Sequence, residues 1–407
     1  MRLRDRLAGM IGNMLGNYDK ALFGLLAPFL APLFFGSEDP TTALILTYAM
    51  LPLGHLAKPL GSLVFGRIGD RYGRPFALGC SLLGIAISTV AIGCLPVYQT
   101  VGAWAPLSLA LARMMQSFFT AGESTGAALY VLENTAPERR SLLSGFYGAS
   151  SIVGYVAASG LVAFLSMQGY IEEGWRFLFW LGGLAALMGL FLRLKTPPES
   201  PAAAPQIPLK QVFREQRKTL FALIAAAGFS YTTYSLPCVL MNGYVPLVTS
   251  LTKTAVMQVN TLLLFLDMLL LPVFGYLAHR WGKEKVMFAA AFWSAVLAIP
   301  LFYFVGGASW GTVIFIRLTL VIFGVAFAAP YHAWALERVA PEHRYTVLCL
   351  GSALGSQLIG APSSAICLWL YRATGWVWAP GIYLVAIGAA ASWVIRHYAK
   401  ARVKAVS

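Results

Sequence analysis

Twelve runs of mostly apolar residues, each long enough to cross a lipid bilayer as one helix, dominate the sequence. A spanning helix needs about 20 such residues, because it rises about 1.5 Å per residue across a hydrocarbon core of about 30 Å. The runs lie at residues 10–36, 42–66, 75–97, 104–132, 141–167, 175–194, 219–250, 255–278, 285–306, 309–335, 345–370 and 377–396. Apolar residues make up 58% of the 407 and charged residues only 11%. This composition excludes a water-soluble globular enzyme and predicts an all-α integral membrane protein.

One long polar stretch divides the runs into two groups of six. Residues 196–218 contain several prolines followed by charged residues, a composition typical of a linker rather than of a continuous helix. The sequence therefore predicts an amino-terminal six-helix bundle over 1–195, a cytoplasmic linker over 196–218 and a carboxy-terminal six-helix bundle over 219–407.

The basic residues are distributed unevenly between the two ends of the runs. Of 30 Lys and Arg residues, 23 lie on the side that carries the amino terminus, and the net charge is +14. Lys and Arg accumulate in short cytoplasmic loops, so this side should be cytoplasmic. The charge is therefore an orientation signal and does not indicate a nucleic-acid partner. We expect a multi-pass protein of the bacterial inner membrane with both termini in the cytoplasm.

The two halves also repeat each other. Residues 66–74 match 275–283, and residues 132–140 match 336–344, at offsets of about 200 residues that also place Arg113 on Arg317. Two related six-helix halves are typical of transporters that rock one bundle against the other around a central site.

Three short motifs resemble those of a known transporter family. Their residues are Gly66, Asp70, Arg71, Gly73 and Arg74 after the second run; Lys58, Pro59, Leu60 and Gly61 within it; and Arg113, Met114, Gln116, Gly122, Glu123, Gly126 and Ala127 in the fourth. The first motif resembles the loop signature of the major facilitator superfamily. The others resemble its metabolite:proton symporter branch, which includes proline/betaine, citrate, shikimate and 2-oxoglutarate carriers. The resemblance implies the major facilitator fold, with twelve transmembrane helices in two pseudo-symmetric bundles and rocker-switch alternating access.

Charged residues inside the runs are functional candidates, because each costs at least ~2.5–3.5 kcal/mol near the bilayer centre. The predicted substrate-binding residues are Arg113, Lys58, Lys20, Asn13, Asn17, Gln116, Tyr231, Tyr234 and Arg317. The predicted proton-coupling residues are Glu123, Asp19, Asp267 and His55.

The fourth run carries one polar stripe, because Arg113, Gln116, Thr120 and Glu123 follow helical spacing. In one interpretation Arg113 binds a substrate carboxylate and Glu123 carries the coupling proton. In the other, the stripe forms interhelical ion pairs, for example between Glu123 and Lys58.

The first run departs from the pattern that the resemblance implies. The acidic and aromatic positions are occupied by Gly16 and Asn17, and Lys20 replaces an aromatic residue. The change makes the site more positive and favours a carboxylate-rich metabolite over a simple zwitterion such as betaine. Alternatively, Lys20 neutralises Asp19 or another acidic residue.

Further candidates each leave two interpretations open. Asp267, in a strongly apolar setting, is either a second proton site or a partner of Arg317 or of another helix. His55, one turn from Lys58, is a proton relay or a packed polar residue. Tyr231 and Tyr234 contact substrate or serve in packing.

By resemblance, the loop motifs control switching between conformations. The predicted gating residues are Asp70, Arg71, Arg74, Glu133, Arg140 and Arg280. The second copy has His279 in place of Asp70, so the charge lock should be asymmetric.

Together these features predict proton-coupled symport of a small carboxylate-bearing metabolite, either an organic acid or an amino-acid-like or betaine-like solute. An exporter or a uniporter of the same fold is the alternative. A membrane-embedded hydrolase would use Ser124, whose surroundings fit GxSxG, but that motif requires a preceding strand. We expect a monomer with no cofactor or metal, whose energy source is the proton gradient.

Overall fold

The computed structural model of the chain describes residues 3–36, 39–58, 60–61, 64–65, 68, 71, 74–120, 139–194, 216–339 and 344–398. Over these ranges the chain is helical and contains no β-strand. Each of the twelve predicted apolar runs carries a helix.

The first six helices are α1 Leu3–Phe34, α2 Pro40–His55, α3 Arg74–Gly93, α4 Trp104–Thr120, α5 Arg140–Met167 and α6 Ile171–Leu194. The second six begin with α7 Arg217–Val248, α8 Lys253–Trp281, α9 Lys283–Tyr303 and α10 Trp310–Leu336. They end with α11, built from Arg344–Gly355, Ser356–Gly360 and Ser363–Thr374, and with α12 Ala379–Tyr398. Within the described ranges, eight of these segments are long and apolar enough to cross a membrane by themselves.

Local sequence signals set several helix ends. Asp39 caps α2, because its carboxylate accepts the backbone N–H groups of Thr41 and Thr42 while Pro40 occupies the first helical position. The Thr42 hydroxyl also donates to Asp39, and these bonds hold the pKa of the Asp39 carboxyl below its usual range. At the end of α11, Gly375 adopts the left-handed conformation (φ 70°) that favours glycine.

Two helices of the second half contain a π-helical turn. In α7 the turn covers Leu236–Leu240, where Pro237 supplies no backbone donor, and in α11 it covers Ser356–Gly360. The two helices are joined beside these turns, because the Ser235 hydroxyl lies 2.9 Å from that of Ser364 and 3.0 Å from that of Ser363.

The two halves pack mainly through α5, which lies along α8 and also contacts α10, and through α2 against α11. Glycines let the α5 and α8 backbones approach each other. A Cβ atom at Gly145 would lie 2.5 Å from the Leu271 carbonyl oxygen, and one at Gly275 would lie 2.8 Å from that of Ser141. These close approaches define the contact surface between the halves.

We call the side on which α1 begins the near face and the opposite side the far face. At the far face three direct contacts join the halves. Arg372 pairs with Asp39 at 3.3 Å, the Lys253 ammonium donates to the Pro28 carbonyl at 2.9 Å, and the hydroxyls of Ser166 and Thr254 lie 2.6 Å apart. The halves are therefore closed against each other at the far face.

Candidate functional site

Most of the polar residues inside the bundle lie near the middle of their helices. Asp19 in α1, Tyr234 in α7 and Asp267 in α8 each lie about halfway along. The buried polar residues of α4 are Arg113, Gln116 and Ser117. A site formed here lies at the depth at which transporter halves share a substrate.

In the first half, Gln116 joins Asp19 to Arg113. Its amide nitrogen donates to the Asp19 carboxylate at 2.7 Å and to the Thr89 hydroxyl at 2.8 Å, and that hydroxyl donates to Asp19 at 3.1 Å. The Gln116 carbonyl oxygen accepts a hydrogen bond from Arg113. The acid and the base are thus connected through a neutral amide. We call Asp19, Gln116 and Arg113 the relay.

Arg113 uses only some of its hydrogen-bond donors within the relay. Its side chain is 5% exposed, and its guanidinium carbon lies 4.4 Å from the centre of the Phe23 ring. Its buried Nε has no hydrogen-bond partner among the described residues. A buried guanidinium N–H without an acceptor is costly, so Arg113 retains a donor for an anionic ligand.

The repeat-related Arg317 has entirely different surroundings. It is fully buried and donates to the Pro237 carbonyl at 3.0 Å, to the Val256 carbonyl at 3.2 Å and to the side-chain oxygens of Asn242 (2.9 Å) and Asn260. All four acceptors are neutral. The arrangement favours a role in joining α10 to α7 and α8 over substrate contact.

Asp267 does not pair with Arg317, so that alternative from the sequence is wrong. The donors of Arg317 are used by α7 and α8 acceptors, and Asp267 has no hydrogen bond or ion pair in the described part of the chain. Its side chain is only 8% exposed. Two interpretations remain: a carboxyl that takes up a proton or a ligand, and a partner of another helix, for example of Lys20 in α1, whose side chain lies outside the described residues.

Tyrosines from both halves lie beside this carboxyl. The rings of Tyr155 (α5) and Tyr234 (α7) stack with centroids 4.9 Å apart and pack in one cluster with Leu263 and Leu264 of α8, about one turn from Asp267. The Tyr234 hydroxyl is buried and has no partner among the described residues. Tyr231 lies one turn before Tyr234 on α7. The stacked tyrosine pair joins α5 of the first half to α7 of the second.

His55 and Lys58 are separated by one tightened turn of 3₁₀ type and not by a turn of regular α-helix. The helix α2 ends at His55, and the N–H groups of Leu56 and Ala57 bond to carbonyls three residues back, so the chain tightens before Lys58. The Nδ1 atom of His55 is buried and has no partner within the described ranges. Lys58 is partly buried.

The remaining predicted residues are in part outside the described structure. Asp70, Glu123, Ser124 and Glu133 lie outside the described residues, as do the side chains of Asn13, Lys20 and Arg74. Asn17 is buried on α1, Arg140 begins α5, and Arg71 and Arg280 are exposed. Their predicted roles stay predictions.

The near face of the second half carries two ion pairs. Lys283 at the start of α9 pairs with Glu337 at the end of α10, and Arg338 pairs with Glu284 at 2.8 Å. Lys283 corresponds to Arg74 in the first half, and Glu337 corresponds to Glu133.

Comparison with known proteins agrees with this architecture. The family model "Major Facilitator Superfamily" matches residues 9–252. A "Putative proline/betaine transporter" of Staphylococcus aureus (strain COL) is 32% identical over 93% of this chain and 84% of its own length. The "Glycine betaine/proline/ectoine/pipecolic acid transporter OusA" of Dickeya dadantii (strain 3937) is 28% identical over 95% of this chain and 81% of its own length.

Among solved structures, the fold is similar to that described as "Crystal structure of D-xylose-proton symporter", with a TM-score of 0.72. The alignment covers 95% of this chain and 96% of that one at 17% sequence identity. At this identity the likeness shows the fold alone, and that fold has twelve helices in two bundles.

Proposed function

The chain belongs to the major facilitator superfamily and is a membrane-embedded secondary transporter of small solutes, not an enzyme, and we propose that it takes up a carboxylate-bearing solute together with a proton. The relay of Asp19, Gln116 and Arg113 is the observation that carries this proposal. It places an acidic and a basic side chain in one buried network, in which the Arg113 Nε–H has no partner among the described residues.

The relay provides a physical basis for coupling. While Asp19 is ionised, its charge compensates that of Arg113 through Gln116. When Asp19 binds a proton, the positive charge of Arg113 is left uncompensated and attracts a carboxylate. Each ligand therefore favours binding of the other, because such a coupling free energy is reciprocal.

The same arrangement suppresses uncoupled movement. The empty relay with ionised Asp19 is neutral overall, and so is the relay holding both the proton and a carboxylate. With only one of the two ligands bound, an unbalanced charge must be buried during closure, which costs several kcal/mol. Only the empty and the fully loaded states should switch readily between the outward-facing and inward-facing conformations.

The relatives' names refine the substrate class. Proline and betaine each carry one carboxylate and one cationic nitrogen, and Arg113 fits the carboxylate. We propose a small zwitterion of this type, which replaces the preference for a carboxylate-rich metabolite expected from Lys20. The near face would be cytoplasmic, the chain would act as a monomer in a bacterial inner membrane, and the proton gradient would supply the energy without a cofactor.

Proteoliposome uptake of radiolabelled glycine betaine and proline tests the proposal. The unmodified chain should accumulate substrate only with an inward proton gradient, and an uncoupler should abolish accumulation. Asp19→Asn should retain substrate exchange across the membrane but lose gradient-driven accumulation. The control Glu173→Gln, which removes an exposed carboxylate in the first turn of α6, should still accumulate substrate. Accumulation indifferent to the gradient, or gradient-driven uptake by Asp19→Asn, would overturn the mechanism.

A further inference from the structure

The Asp19 carboxylate belongs to a closed ring of hydrogen bonds that includes Thr89 of α3, a residue outside the relay. The Gln116 amide nitrogen lies 2.7 Å from one carboxylate oxygen and 2.8 Å from the Thr89 hydroxyl oxygen, and that hydroxyl lies 3.1 Å from the other carboxylate oxygen. All three side chains are buried, and Thr89 is 0% exposed. We call these three side chains the carboxylate ring. Its members come from α1, α3 and α4, so the packing of three helices sets its geometry.

The chemistry of the side chains fixes the direction of each bond in the carboxylate ring. Arg113 can only donate, so the Gln116 atom that it contacts is the carbonyl oxygen and the atom in the ring is the amide nitrogen. The two amide hydrogens serve Asp19 and Thr89. The single hydrogen of the Thr89 hydroxyl is then donated to Asp19. Every hydrogen in the ring has an acceptor, and the ring therefore matches the ionised form of Asp19.

A protonated Asp19 does not fit the same set of bonds. A proton on the oxygen that faces Thr89 would point at the hydroxyl hydrogen, and that hydroxyl would have to turn to another acceptor. A proton on the oxygen that faces Gln116 would displace the amide bond. Proton uptake within the ring therefore costs one of its hydrogen bonds, because these bonds favour the charged form.

Packing against α6 holds Thr89 and Asp19 together. A Cβ atom at Gly182 would lie 3.2 Å from the Thr89 methyl carbon and 3.5 Å from an Asp19 carboxylate oxygen. The α6 backbone therefore lies directly against this side of the ring. Nearby, the Tyr18 hydroxyl donates to the Leu178 carbonyl at 3.2 Å and joins α1 to α6.

The charged and titratable groups around Asp19 lie on α1 and α4. Arg113 is connected with Asp19 through Gln116, and Tyr18 uses its hydroxyl on α6. Lys20 follows on α1, but its side chain lies outside the described residues. The residues that α3, α5 and α6 place against this part of α1 are neutral: Thr89, Gly154 and Gly182. Removing the Thr89 hydroxyl thus changes the hydrogen bonding of Asp19 while every charge stays in place.

We propose that Thr89 is a positioning residue that sets the pH at which Asp19 takes up and releases the coupling proton, an inference that rests on the role proposed for Asp19 above. A cycle driven by a proton gradient must release its proton on the side of higher pH. The Thr89 hydrogen bond favours this release, because it stabilises the ionised carboxylate that remains.

Infrared difference spectroscopy tests the proposal on the purified full-length chain in lipid, without substrate. As the pH is lowered, a carboxylate that takes up a proton gains the C=O stretching band of a carboxylic acid. The part of this band that is absent from Asp19→Asn belongs to Asp19 and reports its protonation directly. The midpoint pH of that part is then measured in each variant at position 89.

Thr89→Val keeps the shape of the side chain but removes the hydroxyl. The midpoint of the Asp19 band should rise by about one pH unit or more, the effect of one lost hydrogen bond to a charged group. Thr89→Ser keeps the hydroxyl and should preserve the midpoint. Thr89→Ala should shift it in the same direction as Thr89→Val, and it decides the question if Thr89→Val does not fold.

The matched control is Thr47→Val in α2. Its hydroxyl is equally buried but bonds to the Ala43 carbonyl of its own helix at 2.8 Å. This variant makes the same chemical change without touching the carboxylate ring, so the midpoint of the Asp19 band should not move.

The outcomes separate this inference from the function on which it rests. An unchanged midpoint in both Thr89→Val and Thr89→Ala overturns the inference and leaves the coupling role of Asp19 standing. A comparable shift in Thr47→Val or in Thr89→Ser would trace the effect to general packing and would also overturn it. If no band depends on Asp19 over the pH range in which the gradient drives uptake, both the coupling role and the inference are overturned.

Discussion

At the scale of single residues, Arg113 and Arg317 occupy equivalent positions in the two halves but have diverged. The Nε atom of Arg113 has no partner in the described part of the chain, whereas Arg317 has four acceptors and no exposed surface. A buried arginine whose three nitrogens are all hydrogen-bonded within the protein stabilises the fold, and one with an unused nitrogen can bind a ligand. The repeat thus contains one arginine bonded throughout to the fold and one that we propose binds the substrate.

Arg113→Lys should weaken substrate binding while leaving the fold intact. Lysine keeps the charge, but its single ammonium cannot serve Gln116 and a carboxylate with the geometry of a guanidinium. Loss of one charge-assisted hydrogen bond, about 1.5–3 kcal/mol, should raise the KM of uptake about tenfold or more. Arg176→Lys, whose arginine bonds a backbone carbonyl of the α3–α4 connection, should leave the KM unchanged. An unaltered KM in Arg113→Lys would contradict the anchor.

Arg317→Met should instead destabilise the protein. The substitution leaves two asparagine oxygens and two backbone carbonyls in the core without their donor, at a cost of about 1–3 kcal/mol for each group that finds no other partner. The denaturation midpoint in mild detergent should fall well below that of the unmodified chain. Arg372→Met, at the exposed far-face pair, should hardly change it. Equal midpoints for the two variants would argue against a structural role for Arg317.

The sequence predicted individual residues of the site better than their partners. Helical spacing placed Arg113 and Gln116 on one stripe, and the apolar surroundings of Asp267 marked it as unusual. The bond between Gln116 and Asp19 joins α4 to α1, and no spacing within one run reveals such a contact. Asn242, Asn260 and Tyr155 were missed because neutral polar residues were considered only close to a charged residue of the same run or in the Tyr231–Tyr234 segment, although all buried amides and hydroxyls require partners.

At the scale of helices, the close contact between α5 and α8 depends on glycine at defined positions. Gly145→Ala would place a Cβ against backbone atoms of Leu271, which cannot move aside as a side chain could. Despite the higher helix propensity of alanine, transport and the denaturation midpoint should both fall. Gly189→Ala in α6, where nothing lies within 4 Å, should retain activity and gain up to about 1 kcal/mol. Full activity and stability of Gly145→Ala would contradict this contact.

The apolar runs predicted the number, order and type of the helices, because a spanning helix requires a minimum apolar length. They did not predict the π-helical turns. Within the turn at Leu236–Leu240, the Pro237 carbonyl accepts a hydrogen bond from Arg317 and the Cys238 carbonyl accepts one from the Asn242 amide. Such a turn depends on partners in another helix, so a proline in the sequence marks only a possible position for it.

At the scale of the whole molecule, the far face must open for alternating access, because the halves are joined there by Asp39–Arg372, Lys253–Pro28 and Ser166–Thr254. Cysteines at Ser166 and Thr254, in a chain whose five native cysteines are replaced by alanine, should form a disulfide that holds the halves together. Oxidation should stop uptake, and reduction should restore it.

The control is a cysteine pair at Ser309 and Thr312, whose hydroxyls lie 3.1 Å apart within the second half. Oxidation of this pair should leave uptake unchanged, because a link inside one rigid half does not oppose rocking. Continued uptake by the fully cross-linked Ser166/Thr254 chain would show that substrate crosses without separation of α5 from α8 at the far face.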